Sequence, residues 1–151
     1  MTTLGVSCAA ATAYLAVADG DTISSEPDRL ELRAGLSPAD QLPAFAQDAA
    51  RAVRDSGAGK VVVLQAEPTY DAGHTAWAPR IAMETLIRLV CAQADVPCAY
   101  VSRQAVKGAF ALKGRGGLDV LGKGELEPSG KYWSAGRLVA ALAAATAERK
   151  G

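Results

Sequence analysis

The chain has 151 residues, of which half are apolar and about a fifth are charged, as in an ordinary globular domain. Its 16 Lys and Arg residues balance its 16 Asp and Glu residues, so the net charge gives no overall attraction to nucleic acid. Because the start has no signal-peptide pattern and no apolar run approaches the roughly 18 residues of a membrane span, we expect one cytoplasmic domain over 1–151 and no membrane contact.

Three strands are predicted in the first third of the chain. Residues 2–8 are mostly apolar and predict a buried strand, and residues 12–18 alternate between two faces before a turn signal at 19–21. Residues 30–32 alternate again and predict a third strand. Because the connections between these strands are short, we expect them to pair in antiparallel fashion.

The first helix is predicted to follow Ser37, a residue suited to cap it, and Pro38, which suits its first turn. Apolar residues recur at helical spacing over 42–53, and Gly57 ends the pattern. The unbroken apolar run 61–64 then predicts a central strand that is covered on both faces.

The second half of the chain alternates helices and strands. A helix is predicted from Pro79, a strand over 96–102, a short helix over 103–112, an extended Gly- and Lys-rich loop over 113–131 and an Ala-rich helix over 132–149. Strand–helix–strand passages favour parallel pairing with right-handed crossovers. Together with the early antiparallel strands, they predict an α/β fold with a mixed sheet and helices on its faces.

The cysteines and the single histidine give little indication of a disulfide or zinc site. Cys8, Cys91 and Cys98 are an odd number of cysteines at irregular spacing, so we expect small buried thiols rather than a disulfide framework. His74 is the only histidine in the sequence, and a zinc site would therefore lack ligands.

Four short segments carry a resemblance to a known family. They are Leu4-Gly5-Val6-Ser7, the run from Val61 to Glu67, Ala82-Met83-Glu84, and Tyr100-Val101-Ser102 followed by Ala105-Val106-Lys107. With the order of elements, these segments resemble the ribonuclease H-like superfamily, above all its RuvC-type branch and the uncharacterised DUF3010-type bacterial proteins. The resemblance implies a three-layer α/β fold with a mixed five-stranded sheet in the order 3-2-1-4-5.

In active members of that superfamily, carboxylates on the first strand, at the end of the fourth strand and on the last helix hold two divalent cations, Mg²⁺ or Mn²⁺. Ser7 stands at the first of these positions and Glu67 at the second, while the start of the last helix, 132–137, has no carboxylate and carries Arg137. The resemblance therefore implies a catalytically degenerate module without a metal or other cofactor, which acts by binding nucleic acid or a protein partner.

Two alternatives to this interpretation stay open. Asp71 and Glu84 lie near Glu67 in the sequence, and these three carboxylates are candidate ligands of a relocated Mg²⁺ or Mn²⁺ site in an active nuclease. The simpler interpretation of Glu84 is a solvated helix residue. The second alternative is a homodimeric structural or regulatory protein that does not bind nucleic acid.

Charge is spread unevenly along the chain. Residues 1–58 hold four Arg and eight Asp or Glu, whereas residues 103–137 hold seven Lys or Arg and three Asp or Glu. The predicted surface for nucleic acid or a partner consists of Lys107, Lys113, Arg115, Lys123, Lys131, Trp133 and Arg137. The simpler interpretations are chance unevenness on a solvated surface and, for 113–131, a mobile loop.

Overall fold

A computed structural model describes residues 2–65 and 73–150 of the chain. In this part of the chain there are six strands and five helices. They are β1 (Thr3–Ala9), β2 (Thr12–Asp19), β3 (Thr22–Ile23), β4 (Arg29–Glu31), α1 (Pro38–Ser56), β5 (Lys60–Leu64), α2 (His74–Gln93), β6 (Cys98–Val101), α3 (Arg103–Ala109), α4 (Leu118–Leu121) and α5 (Leu138–Lys150). A wide π-type turn, Trp133–Arg137, leads directly into α5.

The strands form one mixed sheet in the order β3-β2-β1-β5-β6, with β4 also paired to β2. Strands β1 and β2 pair in antiparallel fashion, whereas β5 pairs in parallel with both β1 and β6. The predicted α/β class with a mixed sheet is confirmed.

The predicted order 3-2-1-4-5 differs from the structure at the edge beside β2. Two short strands share that edge, because β3 pairs with the end of β2 and β4 pairs with its beginning. Residues 24–28 separate them, and Pro27 lies in this gap. Since proline has no N–H to donate to a ladder, a single continuous strand is not favoured here.

Side chains on β1 point alternately to the two faces of the sheet, as the period of a strand requires. Leu4, Val6 and Cys8 belong to a core shared with α1 and α2. Gly5 lies on the other face, against α5, where a Cβ atom would come within 2.9 Å of the Ala144 Cβ. The absence of a side chain at Gly5 therefore lets helix α5 approach β1 closely.

The predictions for α1 and β5 are confirmed in detail. Ser37 caps α1 by accepting a hydrogen bond from the Asp40 amide at 3.3 Å, and Gly57 ends the helix with φ of 65°. All four residues of the run 61–64 are buried, with Val61 and Val63 in one core and Val62 and Leu64 in the other. Strand β5 is thus covered on both faces, as its uninterrupted apolar run indicates.

Helix α5 is buried along most of its length. Every residue from Leu138 to Thr146 is buried, because the sheet covers one side of the helix while α3 and α4 pack against it from elsewhere. A helix that is apolar all round is expected in such a position. The prediction of an extended loop over 113–131 is therefore wrong in part, since α4 forms within it and buries Leu118.

Two helix boundaries also differ from the predictions. Helix α2 begins at His74, before the predicted start at Pro79, and the regular turns of α5 begin at Leu138 rather than at 132. No helix in the described part of the chain combines the length and the hydropathy needed to cross a bilayer.

Candidate functional site

The resemblance points to the end of β1 and the beginning of α5 as the site of chemistry. Ser7 lies on β1 and is only 7% exposed, and its cross-strand partner on β2 is Tyr14. The Tyr14 ring packs against the backbone of Gly136, where a Cβ atom would lie 2.6 Å from two ring carbons. Directly opposed residues of antiparallel strands share a face, so an aromatic ring occupies the space next to Ser7.

Arg137 follows Gly136 and has no exposed surface. Its guanidinium donates hydrogen bonds to four backbone carbonyls: Leu15 at 2.8 Å, Ser24 at 2.8 Å, Lys131 at 3.2 Å and Ser129. The planar fork of five N–H donors suits such a cage. Arg137 therefore ties together β2, the chain after β3 and the segment that leads into α5.

The placement of Arg137 corrects the sequence prediction. This residue was expected on an exposed basic surface, whereas its guanidinium is enclosed by carbonyl oxygens and unavailable to a partner. Burial lowers the pKa of Arg137, and the nearby carboxylates of Asp28 and Glu26 act in the opposite direction. The guanidinium remains a cation at neutral pH, and a fixed positive charge beside this edge of the sheet disfavours divalent cations.

The three carboxylates of the alternative metal site are placed differently. Glu67 and Asp71 lie outside the described residues. Glu84 lies on α2 and is 2% exposed, so its interpretation as a solvated helix residue is wrong. Glu84 interacts electrostatically with Cys8, which points to the side of β1 that faces α1 and α2. Ser7, the residue before Cys8, points to the other side of the sheet.

Glu84 is the buried centre of a group of polar side chains that we call the Glu84 cluster, which extends through half-buried Arg80 to Arg88 and Tyr100 at the surface. The cluster consists of Cys8 on β1, Arg80, Glu84 and Arg88 on α2, and Tyr100 on β6. Burial raises the pKa of Glu84, while Arg80, the Tyr100 hydroxyl and Arg88 favour its charged form. Within the described structure, Oε2 of Glu84 and Nε of Arg80 have no hydrogen-bond partner.

The sequence analysis missed four of these five positions as parts of a site. Arg80, Glu84 and Arg88 are spaced by four residues, which places them on one stripe of a helix. That spacing is the signal that was available in the sequence. Two rings accompany the stripe: the Arg80 guanidinium is 5.6 Å from the Trp77 ring centroid, and that of Arg88 is 5.1 Å from the Tyr100 centroid.

The Glu84 cluster is poorly suited to bind a divalent metal. In the part of the chain that the structure describes, no group of three or more His, Cys, Asp or Glu residues is placed to hold a metal ion. Burial, reinforced by the charge of Glu84, raises the pKa of the Cys8 thiol to about 12, so forming a thiolate ligand there is costly. The guanidinium groups of Arg80 and Arg88 compete with any cation for the carboxylate.

The other residues of the predicted basic surface fall into two groups. Lys113, Arg115 and Lys123 are exposed in the connection that covers α5, and Lys107 is half-buried at the end of α3. This connection also carries three acidic residues, Asp119, Glu125 and Glu127. The basic character of the surface is consequently weaker than a count of Lys and Arg alone indicates.

The second group lies at the start of α5. Lys131 is exposed, and Trp133 is half-buried and packs against the core around α5. The Trp133 ring centroid is 5.9 Å from the guanidinium carbon of Arg137. Part of the Trp133 ring therefore supports the buried arginine, and the rest is accessible.

Two solved structures of RuvC from T. thermophilus are similar to this chain. The structure in complex with a Holliday junction substrate has a TM-score of 0.70 and 15% sequence identity, and the similarity covers 97% of this chain and 91% of that one. A second RuvC structure has a TM-score of 0.67 and 14% identity over 97% and 92% of the two chains. No protein-family model and no curated protein matches the chain. The chain thus has the ribonuclease H-like fold, in the form seen in RuvC.

Proposed function

We propose that this protein is a catalytically degenerate RuvC-like module that binds nucleic acid without cutting it. The observation that carries the proposal is the replacement of acidic side chains where β1 meets the start of α5. Ser7 is a neutral neighbour of the Tyr14 ring, and Arg137 is enclosed by carbonyl groups. RuvC of T. thermophilus, which has the same fold, was solved with a Holliday junction substrate, and this motivates nucleic acid as the ligand.

The chemistry of phosphodiester cleavage explains the loss of activity. Two divalent cations must clamp the attacking and leaving oxygens, and each cation needs several anionic oxygen ligands. The hydroxyl of Ser7 is neutral, and the charged side chain of the turn Trp133–Arg137 is the arginine. Binding through phosphate contacts needs neither metal and stays compatible with these residues.

The candidate contact residues are the exposed members of the basic surface. Lys113, Arg115 and Lys123 present flexible cations to phosphate oxygens on the layer over α5. At the start of α5, Lys131 adds a further charge and the accessible part of the Trp133 ring offers a face on which a base can stack. Lys107 belongs to the same proposed surface at the end of α3.

A mobility-shift titration with single-stranded, duplex and four-way-junction DNA tests the binding. The logarithm of the association constant should fall linearly with the logarithm of the salt concentration. For duplex DNA the slope should be about −0.9 for each neutralised phosphate. The triple variant Lys113→Ala/Arg115→Ala/Lys123→Ala should bind about tenfold more weakly and show a shallower slope. Absence of any shift at low salt would remove nucleic acid as the partner.

A matched control is available on the opposite side of the sheet. The variant Arg33→Ala/Arg51→Ala/Arg54→Ala also removes three exposed positive charges, and should bind DNA as the wild type does. Equal weakening by both triple variants would indicate an unspecific charge effect. If the wild type does not bind DNA, measurement of its oligomeric state by sedimentation tests the homodimeric structural or regulatory alternative.

The active nuclease with relocated ligands is the second candidate function. The free Oε2 atom of the buried Glu84 is the observation in its favour, with Glu67 and Asp71 as its proposed partners. Calorimetric titration with Mg²⁺ or Mn²⁺, together with a DNA cleavage assay, tests it. We expect no binding and no cleavage. Metal binding that Glu67→Gln abolishes, accompanied by cleavage, would favour the enzyme.

The finer relationships rest on the sequence resemblance. Relation to the DUF3010-type bacterial proteins, a cytoplasmic location and one domain across 1–151 are proposals of this kind. A protein partner in place of nucleic acid is a further outcome of the same binding experiments.

A further inference from the structure

The connection between α2 and β6 brings two cysteines together. Cys91 is buried in the last turn of α2, and Cys98 is the first residue of β6 and is half-buried. Residues 94–97 join the two elements, and the Val96 amide donates to the Cys91 carbonyl at 2.9 Å. Both cysteines pack into the same core, where their thiols are hydrogen-bonded to each other.

The two thiols are not equivalent. The hydrogen bond from Cys91 lowers the pKa of Cys98, with a further contribution from the Arg88 guanidinium, although burial acts in the opposite direction. The same bond and burial raise the pKa of Cys91. Cys98 is therefore the more acidic and more accessible thiol of the pair, and Cys91 is the donor behind it.

Cys8 provides an internal contrast. It is buried on β1 beside Glu84, and its pKa is raised to about 12, so it is almost entirely protonated at neutral pH. Since the thiolate is the reactive form of cysteine, burial and charge protect Cys8 from oxidants. Cys98 has a cation beside it and a second thiol in contact.

We propose that Cys91 and Cys98 are a dithiol that hydroperoxides oxidise to an intramolecular disulfide. In the first step, the Cys98 thiolate attacks one peroxide oxygen; an S–O bond forms, the O–O bond breaks, and the departing alkoxide or hydroxide takes a proton. In the second step, the Cys91 sulfur attacks the Cys98 sulfur and loses its proton, and the hydroxyl group leaves as water. Two thiols and one hydroperoxide thus yield one disulfide, one alcohol or water, and one water.

The disulfide would link the end of α2 to the sheet edge formed by β6. Arg88, which contacts Tyr100 on β6, lies one turn before Cys91. Oxidation therefore constrains the two elements that hold the Glu84 cluster together. This modification is independent of nucleic-acid binding, so its test does not depend on the proposed function.

Peptide mapping of the full chain tests the proposal. The protein is reduced, freed of reductant, treated with equimolar hydrogen peroxide at neutral pH, then unfolded in denaturant, alkylated and digested with trypsin. Cys91 and Cys98 lie together in the tryptic peptide 89–103, whereas Cys8 lies in the peptide 1–29. We expect peptide 89–103 to lose two hydrogen atoms and to resist alkylation, while Cys8 is alkylated.

Three single variants define the roles of the thiols. Cys98→Ser should oxidise at least about tenfold more slowly, because only buried thiols remain, and Cys91→Ser should accumulate a sulfenic acid at Cys98 that dimedone traps. Cys8→Ser is the matched control and should oxidise at the wild-type rate. The proposal is overturned if the wild type forms only intermolecular disulfides, if Cys8 is oxidised first, or if Cys98→Ser reacts as fast as the wild type.

Discussion

The two faces of the sheet each bury charged groups, and they satisfy them differently. On the α5 face, Arg137 donates to four backbone carbonyls from three parts of the chain. On the α2 face, Glu84 and Arg80 each keep a buried polar atom without a hydrogen-bond partner in the described structure. Burying a charge costs free energy, and hydrogen bonds to the charged group offset this cost. The α5 face thus satisfies its buried charge with hydrogen bonds, whereas the α2 face satisfies its buried carboxylate only in part.

Among the substitutions that test this comparison, replacement of Arg137 should lower the free energy of unfolding most. Arg137→Met removes the guanidinium and leaves buried carbonyls such as that of Leu15 without donors, so we expect a loss of about 3–4 kcal/mol in the free energy of unfolding. Arg137→Lys should recover less than half, because one ammonium cannot reach carbonyls on all sides of the cage. Urea denaturation measures both. A loss below about 1 kcal/mol for Arg137→Met would show that the cage is not a structural centre.

A methyl group at Gly136 should have the next largest effect. Gly136 has φ of 172°, outside the left-handed region that specifically favours glycine. The added Cβ would lie 2.6 Å from ring carbons of Tyr14, and the resulting overpacking should cost about 1–3 kcal/mol.

A double-mutant cycle assigns that cost to the ring. Tyr14→Leu combined with Gly136→Ala should be more stable than the sum of the single effects predicts, by about 1 kcal/mol or more, if the contact with the ring is the cause. Additive effects would indicate that the cost of the added Cβ atom comes from a neighbour of Gly136 other than the Tyr14 ring.

The parts of the fold that the sequence predicted are those that local physics decides. The cap at Ser37, the end of α1 at Gly57 and the apolar run 61–64 each depend on a few neighbouring residues, and each is confirmed. The class of fold followed from the order of such elements. The division of the sheet edge into β3 and β4 was missed, because it depends on how two segments pair with different ends of β2.

The candidate site was less predictable, since burial of a charge is a non-local property. The partners of Arg137 are carbonyls at positions 15, 24, 129 and 131, and nothing in the sequence around residue 137 announces them. Glu84 is buried because its position on α2 faces the sheet, although Arg88, one turn later, is exposed. The spacing of Arg80, Glu84 and Arg88 was visible, but charged residues four apart are equally typical of an exposed helix face.

Replacement of the carboxylate at position 84 tests the other face of the sheet. Burial raises the pKa of Glu84 above the 4.5 of an ordinary Glu, against Arg80, Tyr100 and Arg88, which favour the charged form. A raised folded-state pKa means that this group's contribution to stability is present below about pH 4.5 and is lost as the pH rises through the folded-state value. Cys8, the remaining neighbour, stays protonated throughout this range.

Glu84→Gln should therefore be more stable than the wild type at pH 7, by about 1 kcal/mol, and equally stable at pH 4. Thermal unfolding across that pH range measures the difference. If Glu84→Gln is instead less stable at pH 7, the carboxylate is paired in the folded protein, and the contrast between the two faces disappears. The variant Asp95→Asn, at an exposed carboxylate beyond the end of α2, is the control.

The smallest effect is expected for a substitution at Gly108. Unlike Gly136, which has no room for a side chain, Gly108 has open space around it. Gly108 lies inside α3, is exposed, and a Cβ atom added there meets nothing within 4 Å. Gly108→Ala should raise stability by about 0.5–1 kcal/mol, because alanine favours the helix and restricts the unfolded chain. DNA affinity should not change, since the side chains of the proposed surface stay in place. If Gly108→Ala instead loses as much stability as Gly136→Ala, α3 is packed more tightly than its exposed surface indicates. Tight packing on this face would then extend beyond the sheet and α5.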